Sequence, residues 1–353
     1  MSREAPARFA RALIRWHRAH GRHDLPWQQS RDPYRVWLSE IMLQQTRVAA
    51  ARKYYARFLQ RFPDVHRLAA APLEEVLEAW AGLGYYARAR LAHACAQTLV
   101  REHDGCFPRS AEELQRLPGI GASSAAAIAA FCFGERVAIL DANVKRVLAR
   151  RYAIEGPVGR AKIVQELWRR ARSLLPAAEQ IGVYTQAIMD LGASVCTRSR
   201  PRCGECPVRD DCLAREQGRA EQLPTRAPAA KRPVRTAHLL LAVAQQRVFL
   251  EQRAARGIWG GLLSLPQFAR PEELRRAADT FGRVKPRALA QRTHSFTHFT
   301  LRFTPHLLRL PRAPDHRVGR SGRWVALARI ESAALPSPVR TLLRDVREGR
   351  TEP

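Results

Sequence analysis

Residues 117–151 read LPGIGASSAAAIAAFCFGERVAILDANVKRVLARR, and this stretch decides how the N-terminal half of the chain is built. Leu117-Pro118-Gly119-Ile120-Gly121 cannot carry a helix through: Pro118 has no amide proton, and the two glycines permit a tight backbone turn. On its N-terminal side Ala111–Leu117 reads as a helix, opened by the capping pair Ser110 and Glu113. On its C-terminal side Ala122–Phe133 has apolar spacings of three and four, which predicts a second helix. After the apolar run Val137–Leu140, Asp141 stands where it can cap a third helix, Ala142–Arg151.

A glycine turn between two helices can be an ordinary corner. It can also be a helix–hairpin–helix, whose free amides at the start of the second helix take a phosphate oxygen without reading sequence. The second reading makes Leu117, Gly119 and Gly121 candidate contacts to a DNA backbone. The charge balance points the same way. Sixty Lys and Arg against 32 Asp and Glu give a formal +28, which favours a polyanionic partner. Arg-rich composition of a GC-rich genome is the plainer source of such a charge. No apolar run approaches the ~20 residues that a spanning helix needs, and the N-terminus Met1-Ser2-Arg3-Glu4 lacks a signal peptide's pattern. A cytoplasmic protein is expected.

Further helices are predicted over Val36–Phe62 and Leu73–Trp80. Glu40 shares a helix face with Val36, Trp37 and Leu43. An acid there loses solvation, so its pKa rises and it can hold a proton near neutral pH, as a general acid must. Its plainer reading is a buried Glu satisfied by an Arg or a helix end.

Of seven cysteines, four form Cys196-x6-Cys203-x2-Cys206-x5-Cys212. Four thiolates this close suit an iron–sulfur cluster or a structural zinc, and the spacing alone leaves both open. Arg198, Arg200, Arg202 and Arg209 lie among them. Cys95, Cys106 and Cys132 stand apart and read as small hydrophobes.

From residue 218 the composition changes. Pro224, Pro228 and Pro233 with Ala, Lys and Arg mark an interdomain linker over 218–235. Beyond it, His238–Ala244, Arg247–Gln252 and Ser295–Phe303 alternate as strands do, and Leu274–Phe281 reads as a helix. The expected organisation is a helical domain over 1–217 with the cysteine loop at 196–212, the linker, a small α+β domain over 236–345, and a tail over 346–353.

Together these residues resemble the helix–hairpin–helix DNA glycosylases with a four-cysteine cluster loop, and more closely the adenine DNA glycosylase (MutY) family, which acts opposite oxidised guanine. Leu25-Pro26-Trp27, Trp37–Thr46, Gly82–Arg88, Leu117–Gly121, Leu140–Arg150, Met189–Ala193, the cysteine loop and Gly257–Leu262 carry the likeness. The resemblance implies an all-α glycosylase domain, a C-terminal Nudix-like domain, one [4Fe–4S] cluster on Cys196, Cys203, Cys206 and Cys212, and a monomer working on double-stranded DNA in the cytoplasm, at the nucleoid. It implies that Glu40 protonates the flipped adenine and that Asp141 stabilises the cationic sugar or bonds to it transiently. Asn143 would order this site, Gln186 would contact adenine, and Leu25 and Trp27 would wall its pocket. Gln45 and Tyr85 would wedge into the base stack, and Phe296-Thr297-His298, with Thr in place of the family's Ser, would read the oxidised guanine. The Nudix-like domain would keep its fold without pyrophosphatase chemistry, since Leu274–Gly282 has only Asp279 as an acid.

A rival within the superfamily is an endonuclease III-like lyase. Its Schiff-base chemistry needs a Lys just after the hairpin, and Ser123 stands there instead. A monofunctional hydrolase is expected, with Ser123 hydrogen-bonding in the site. A non-catalytic DNA-damage binder and a structural zinc protein are the non-enzymatic alternatives.

Overall fold

The computed structural model describes residues 4–225, 232–255, 257–314 and 322–350, with side chains from Ala7 onward. By packing, the chain divides into two compact units. One comprises Met1–Ala70 with Leu91–Ala229, the other Ala71–Arg90 with Ala230–Pro353.

The helices run, in chain order, α1 (Glu4–His20), α2 (Pro33–Leu43), α3 (Val48–Arg61), α4 (Val65–Ala70), α5 (Leu73–Ala79), α6 (Ala87–His103), α7 (Ala111–Leu114), α8 (Ala122–Phe133), α9 (Ala142–Arg151), α10 (Ala161–Ser173) and α11 (Ile181–Asp190). A π-helical turn over Leu191–Val195, the cysteine loop and the short α12 (Leu213–Glu216) follow. The first unit's core joins Phe9 and Leu13 of α1, Ala126 and Ala130 of α8, Val144 and Leu148 of α9, Leu167 of α10, and Tyr184 and Ile188 of α11. Burying such apolar stripes is what holds short helices that would be marginal alone.

Three local expectations are met closely. Ser110 Oγ accepts the Glu113 amide at 3.2 Å, α9 spans the expected residues, and Asp141 caps it by accepting the Val144 amide at 2.7 Å. The helix expected over Val36–Phe62 is two helices, because Gln44-Gln45-Thr46 break it and Gln45 takes φ 56°. Residues 218–225 are folded against the first unit: Leu223 is buried and its carbonyl accepts Arg150 Nε at 2.8 Å. Residues 226–231 of the expected linker lie outside the described residues, as do 351–353 of the expected tail, and the linker's last two residues, Val234 and Arg235, already belong to a strand of the second unit.

In the second unit β1 (Val234–Ala244), β2 (Arg247–Gln252), β3 (Leu263–Ser264) and β4 (Gln267–Phe268) precede α13 (Pro271–Asp279). Then come β5 (Arg287–Ala288), β6 (Arg292–Ser295), β7 (Thr300–Leu310), β8 (Gly322–Ala326) and α14 (Ser337–Arg347). The sheet order is β3-β2-β1-β7-β5, with β4 on β1, β6 on β7 and β8 on β2. Among the described residues only β1 and β7 pair in parallel, Leu240 against His306. From Leu239 to Ala244 β1 is buried without alternation, as expected for a central strand covered on both faces. Val339, Leu342 and Leu343 of α14 cover one face, and Leu274 and Ala278 of α13 the other.

The strand expected over Ser295–Phe303 is instead the end of β6, a turn closed by the Phe296 amide donating to the Phe299 carbonyl at 2.8 Å, and the start of β7. Residues 71–90, expected in the helical domain, pack with the second unit: Tyr86 Oη donates to the Leu335 carbonyl (3.1 Å), and Arg90 Nη1 to the Gly260 carbonyl (2.6 Å).

Candidate active site

A cavity of about 930 Å³ opens in the first unit between α2, α8, α9, α11 and the segment after α1. Glu40, Asp141, Asn143, Ser123, Gln45, Gln186, Leu25 and Trp27 all line it. Eight of the nine residues expected in catalysis or substrate binding thus meet around one space; Tyr85 does not line it.

Glu40 is delivered by α2, whose neighbouring side chains Val36, Trp37, Leu38 and Ile41 are buried. Burial pushes its carboxyl up to about 8, and the Asp141 charge adds to that rise. The acid is therefore protonated at neutral pH. Asp141 is oriented as a cap. Its Oδ1 takes the Val144 amide (2.7 Å) and its Oδ2 the Asn143 Nδ2 (3.0 Å). Burial raises its pKa too, while these two residues and the Arg146 cation pull it back down. Donors make the difference: these neighbours favour the charged form of Asp141, and nothing comparable acts on Glu40. The arrangement offers a proton and an anion to one bound group.

Arg146 extends the anion's support. Its Nη2 donates to Asn143 Oδ1 (2.9 Å) and the Gly192 carbonyl (2.6 Å), and its Nε to the Cys196 carbonyl (2.7 Å). Gly192 is required there: a Cβ would fall 2.6 Å from Asn143 Cβ.

Sequence reasoning missed the opposite wall. His17, Arg22 and Gln28 line the cavity. Asp190, buried at 1% exposure, accepts the Arg22 amide (2.9 Å), Arg22 Nε (2.8 Å), Arg22 Nη2 and Gln186 Nε2 (2.9 Å). His17 Nε2 lies 3.3 Å from its Oδ2. Both polar atoms of the Gln28 amide are buried with no protein partner among the described residues. The run Met189–Ala193 carried the signal for Asp190, but a lone Asp in it does not show that Arg22, 168 positions away, is its partner.

The four cysteines ring a small cavity with Arg150. Four cysteines as the donor set are what an iron–sulfur cluster needs. Arg150 supplies a second test of fit. At 2% exposure its guanidinium has no carboxylate partner among the described residues and donates to Cys196 Sγ (3.2 Å), the Thr197 carbonyl (2.7 Å) and the Arg198 carbonyl. A buried cation of this kind needs negative charge beside it, and cysteinates holding a cluster provide it. Burial pushes the free Cys206 thiol up to about 12, so metal binding must displace its proton.

At the hairpin, Gly119 takes φ 78° and a Cβ there would fall 2.8 Å from Leu91 Cβ. Gly121 begins α8 with no side-chain cap, which leaves its first amides for an anion. Gln45 is exposed at φ 56°, and Tyr85 is 53% exposed at φ 49°. Left-handed backbone at a non-glycine residue costs energy and marks functional positions more often than others. In the second unit Phe296 stacks on Phe299 (centroids 4.5 Å apart), which leaves Thr297 and His298 exposed at the turn.

Residues 38–173 match the HhH-GPD superfamily of base excision DNA repair proteins, 196–212 the iron–sulfur binding domain of endonuclease III, and 237–345 the NUDIX domain. The adenine DNA glycosylase of Buchnera aphidicola (subspecies Acyrthosiphon pisum) is 33% identical over 97% of this chain and 98% of its own length. The human adenine DNA glycosylase is 33% identical over 95% of this chain and 73% of its own length. Among solved structures, a thermostable thymine-DNA glycosylase superposes with a TM-score of 0.55 at 25% identity, covering 61% of this chain and 98% of that one. A non-covalent endonuclease III–DNA complex, at 21% identity and TM-score 0.53, shows the same fold over 62% of this chain and 98% of that one.

Proposed function

The chain belongs to the adenine DNA glycosylases, base-excision-repair enzymes that act on DNA and carry a [4Fe–4S] cluster, and from that membership we propose how its own residues act and which mispair it serves. The observation that carries the reading is the convergence of Glu40, held protonated, and Asp141, held by donors, on one cavity large enough to take a nucleoside.

The adenine leaves the stack and enters that cavity, which costs least at a mispair. Leu25 and Trp27 flank the base, while Gln45 and Tyr85 fill the space it vacates. Glu40 gives its proton to a ring nitrogen of the adenine. The bond between base and C1′ then breaks, its electron pair leaving with the now neutral base, and positive charge spreads over C1′ and the ring oxygen. The Asp141 carboxylate, fixed by Val144 and Asn143, faces that charge without needing to reorganise. Water adds at C1′, and the Glu40 carboxylate takes its surplus proton, restoring the acid. Ser123 cannot form an imine, so the sugar–phosphate backbone stays intact. The cluster, held by Cys196, Cys203, Cys206 and Cys212, supplies structure to a basic loop that meets the DNA backbone together with Leu117, Gly119 and Gly121.

The Nudix-like domain, 236–345, reads the base opposite adenine through Thr297 and His298, with Phe296 as their support. The mispair is A·8-oxoguanine and, more weakly, A·G, and the enzyme works as a monomer at the DNA of the nucleoid. Among the described residues no helix is long and apolar enough to cross a membrane. The test is a set of duplexes with adenine opposite 8-oxoguanine, guanine, cytosine or thymine, treated with alkali after incubation. Alkali-labile sites are expected at the first and more slowly at the second. Their absence opposite 8-oxoguanine overturns the pairing, and breaks without alkali overturn the hydrolase assignment.

A further inference from the structure

Asp190 has no part in the chemistry above and does not itself line the cavity, yet it is hydrogen-bonded to two residues that do, Arg22 and Gln186. Its Oδ1 accepts Arg22 Nε at 2.8 Å and Gln186 Nε2 at 2.9 Å, and its Oδ2 accepts the Arg22 amide at 2.9 Å. Burial alone would push this carboxyl up; His17 and Arg22 reverse that and hold it near 2. Asp190 is thus an anion at every working pH, and an anionic carboxylate can only accept hydrogen bonds.

That fixes Gln186. A primary amide beside an ordinary polar group can turn over and present either its NH2 or its oxygen, so it recognises a donor or an acceptor equally well. Beside Asp190 it cannot. Turning would set Oε1 against the carboxylate and strip a buried charge of a donor, the costly way to lose a hydrogen bond. The Gln186 Oε1 has no protein partner among the described residues and belongs to a side chain that lines the cavity.

We propose that Asp190 is a positioning residue for base selection: by committing the Gln186 NH2, it leaves the cavity a fixed acceptor that takes the 6-amino group of adenine and repels a 6-oxo purine. Arg22 and His17 hold Asp190 in turn. The inference rests on the adenine reading and adds to it the atom that separates a 6-amino from a 6-oxo base. A freely turning glutamine would contact adenine equally well but would accommodate hypoxanthine too.

The experiment measures binding of the cluster-loaded enzyme to duplexes whose target nucleoside carries a 2′-fluoro sugar, which resists cleavage. The target base is adenine, purine (no 6-substituent) or hypoxanthine, always opposite the same base. A fixed acceptor predicts adenine tightest, purine about tenfold or more weaker, and hypoxanthine weaker than purine. Hypoxanthine binding as well as purine shows an amide that turns, and overturns the proposal. In Asp190→Asn the neighbour can offer a donor or an acceptor, so the hypoxanthine-to-purine affinity ratio is expected to rise about tenfold. An unchanged ratio in a variant with native circular dichroism and cluster absorbance also overturns it. Should that variant not fold, the unmodified enzyme's series decides alone. Failure of the adenine reading itself looks different: adenine would then bind no better than thymine at the target position.

Discussion

Two carboxyls, one lining the cavity and one bonded to residues of its wall, have opposite fates. Glu40 finds no donor strong enough to offset burial and is pushed up to about 8. Asp190 is surrounded by Arg22, His17 and Gln186 and falls to about 2. Burial raises both, so burial does not set the protonation state. The supply of donors does. Asp141 lies between them, raised by burial and pulled back by the Val144 amide, Asn143 and Arg146. Proton donor, fixed anion and structural anion are thus graded by the number and charge of their neighbours.

The grading can be broken from either end. Glu40→Gln keeps the shape and removes the proton, so single-turnover adenine release is expected to fall by about 10²–10⁴ with duplex affinity largely retained; full activity would refute the role of this acid. Arg22→Met attacks the other end. It leaves Asp190 buried without its main counter-ion, and urea unfolding is expected to show a loss of about 3–5 kcal/mol.

The smallest effect, and the sharpest comparison, comes from pH. Release should fall roughly tenfold per unit above about 8 as Glu40 loses its proton, and should fall again in acid as Asp141 gains one. Stability should move oppositely at the two ends. Glu40, raised from 4.5, favours folding fully below 4.5, and that contribution drains away as pH climbs to about 8. Asp190, lowered from 3.8, contributes fully above 3.8 and loses that contribution as pH falls toward 2. Comparing the unfolding free energy of Glu40→Gln with that of the parent at pH 5 and pH 9 isolates the first: the variant should gain on the parent at pH 9.

What was legible in the residues was whatever chemistry writes locally. The cysteine spacing, the Gly119–Gly121 turn and the Asp141 cap each need only neighbours within a few positions, and all three stand as expected. The breaks were harder to see. Nothing in Gln44-Gln45-Thr46 forbids helix, and only the folded backbone shows Gln45 to be left-handed. The alternation through Ser295–Phe303 continues across a turn, because Phe296 and Phe299 stack to close it. Residues 71–90 have helical spacing suited to either unit, and only the pairing of Tyr86 with Leu335 and Arg90 with Gly260 shows which one they join. Asp190 and Gln28 were overlooked for a related reason: what matters about each is a partner far along the chain, or the lack of one.

Arg150 has a consequence for how the protein is made. Its guanidinium is sealed against Cys196, Thr197, Arg198 and Leu223, so a chain without its iron and sulfide must either bury a naked cation or leave the segment from the cysteine loop to residue 223 undocked. The second costs less. A molecule made without its iron and sulfide would therefore be cut first by proteases in that segment.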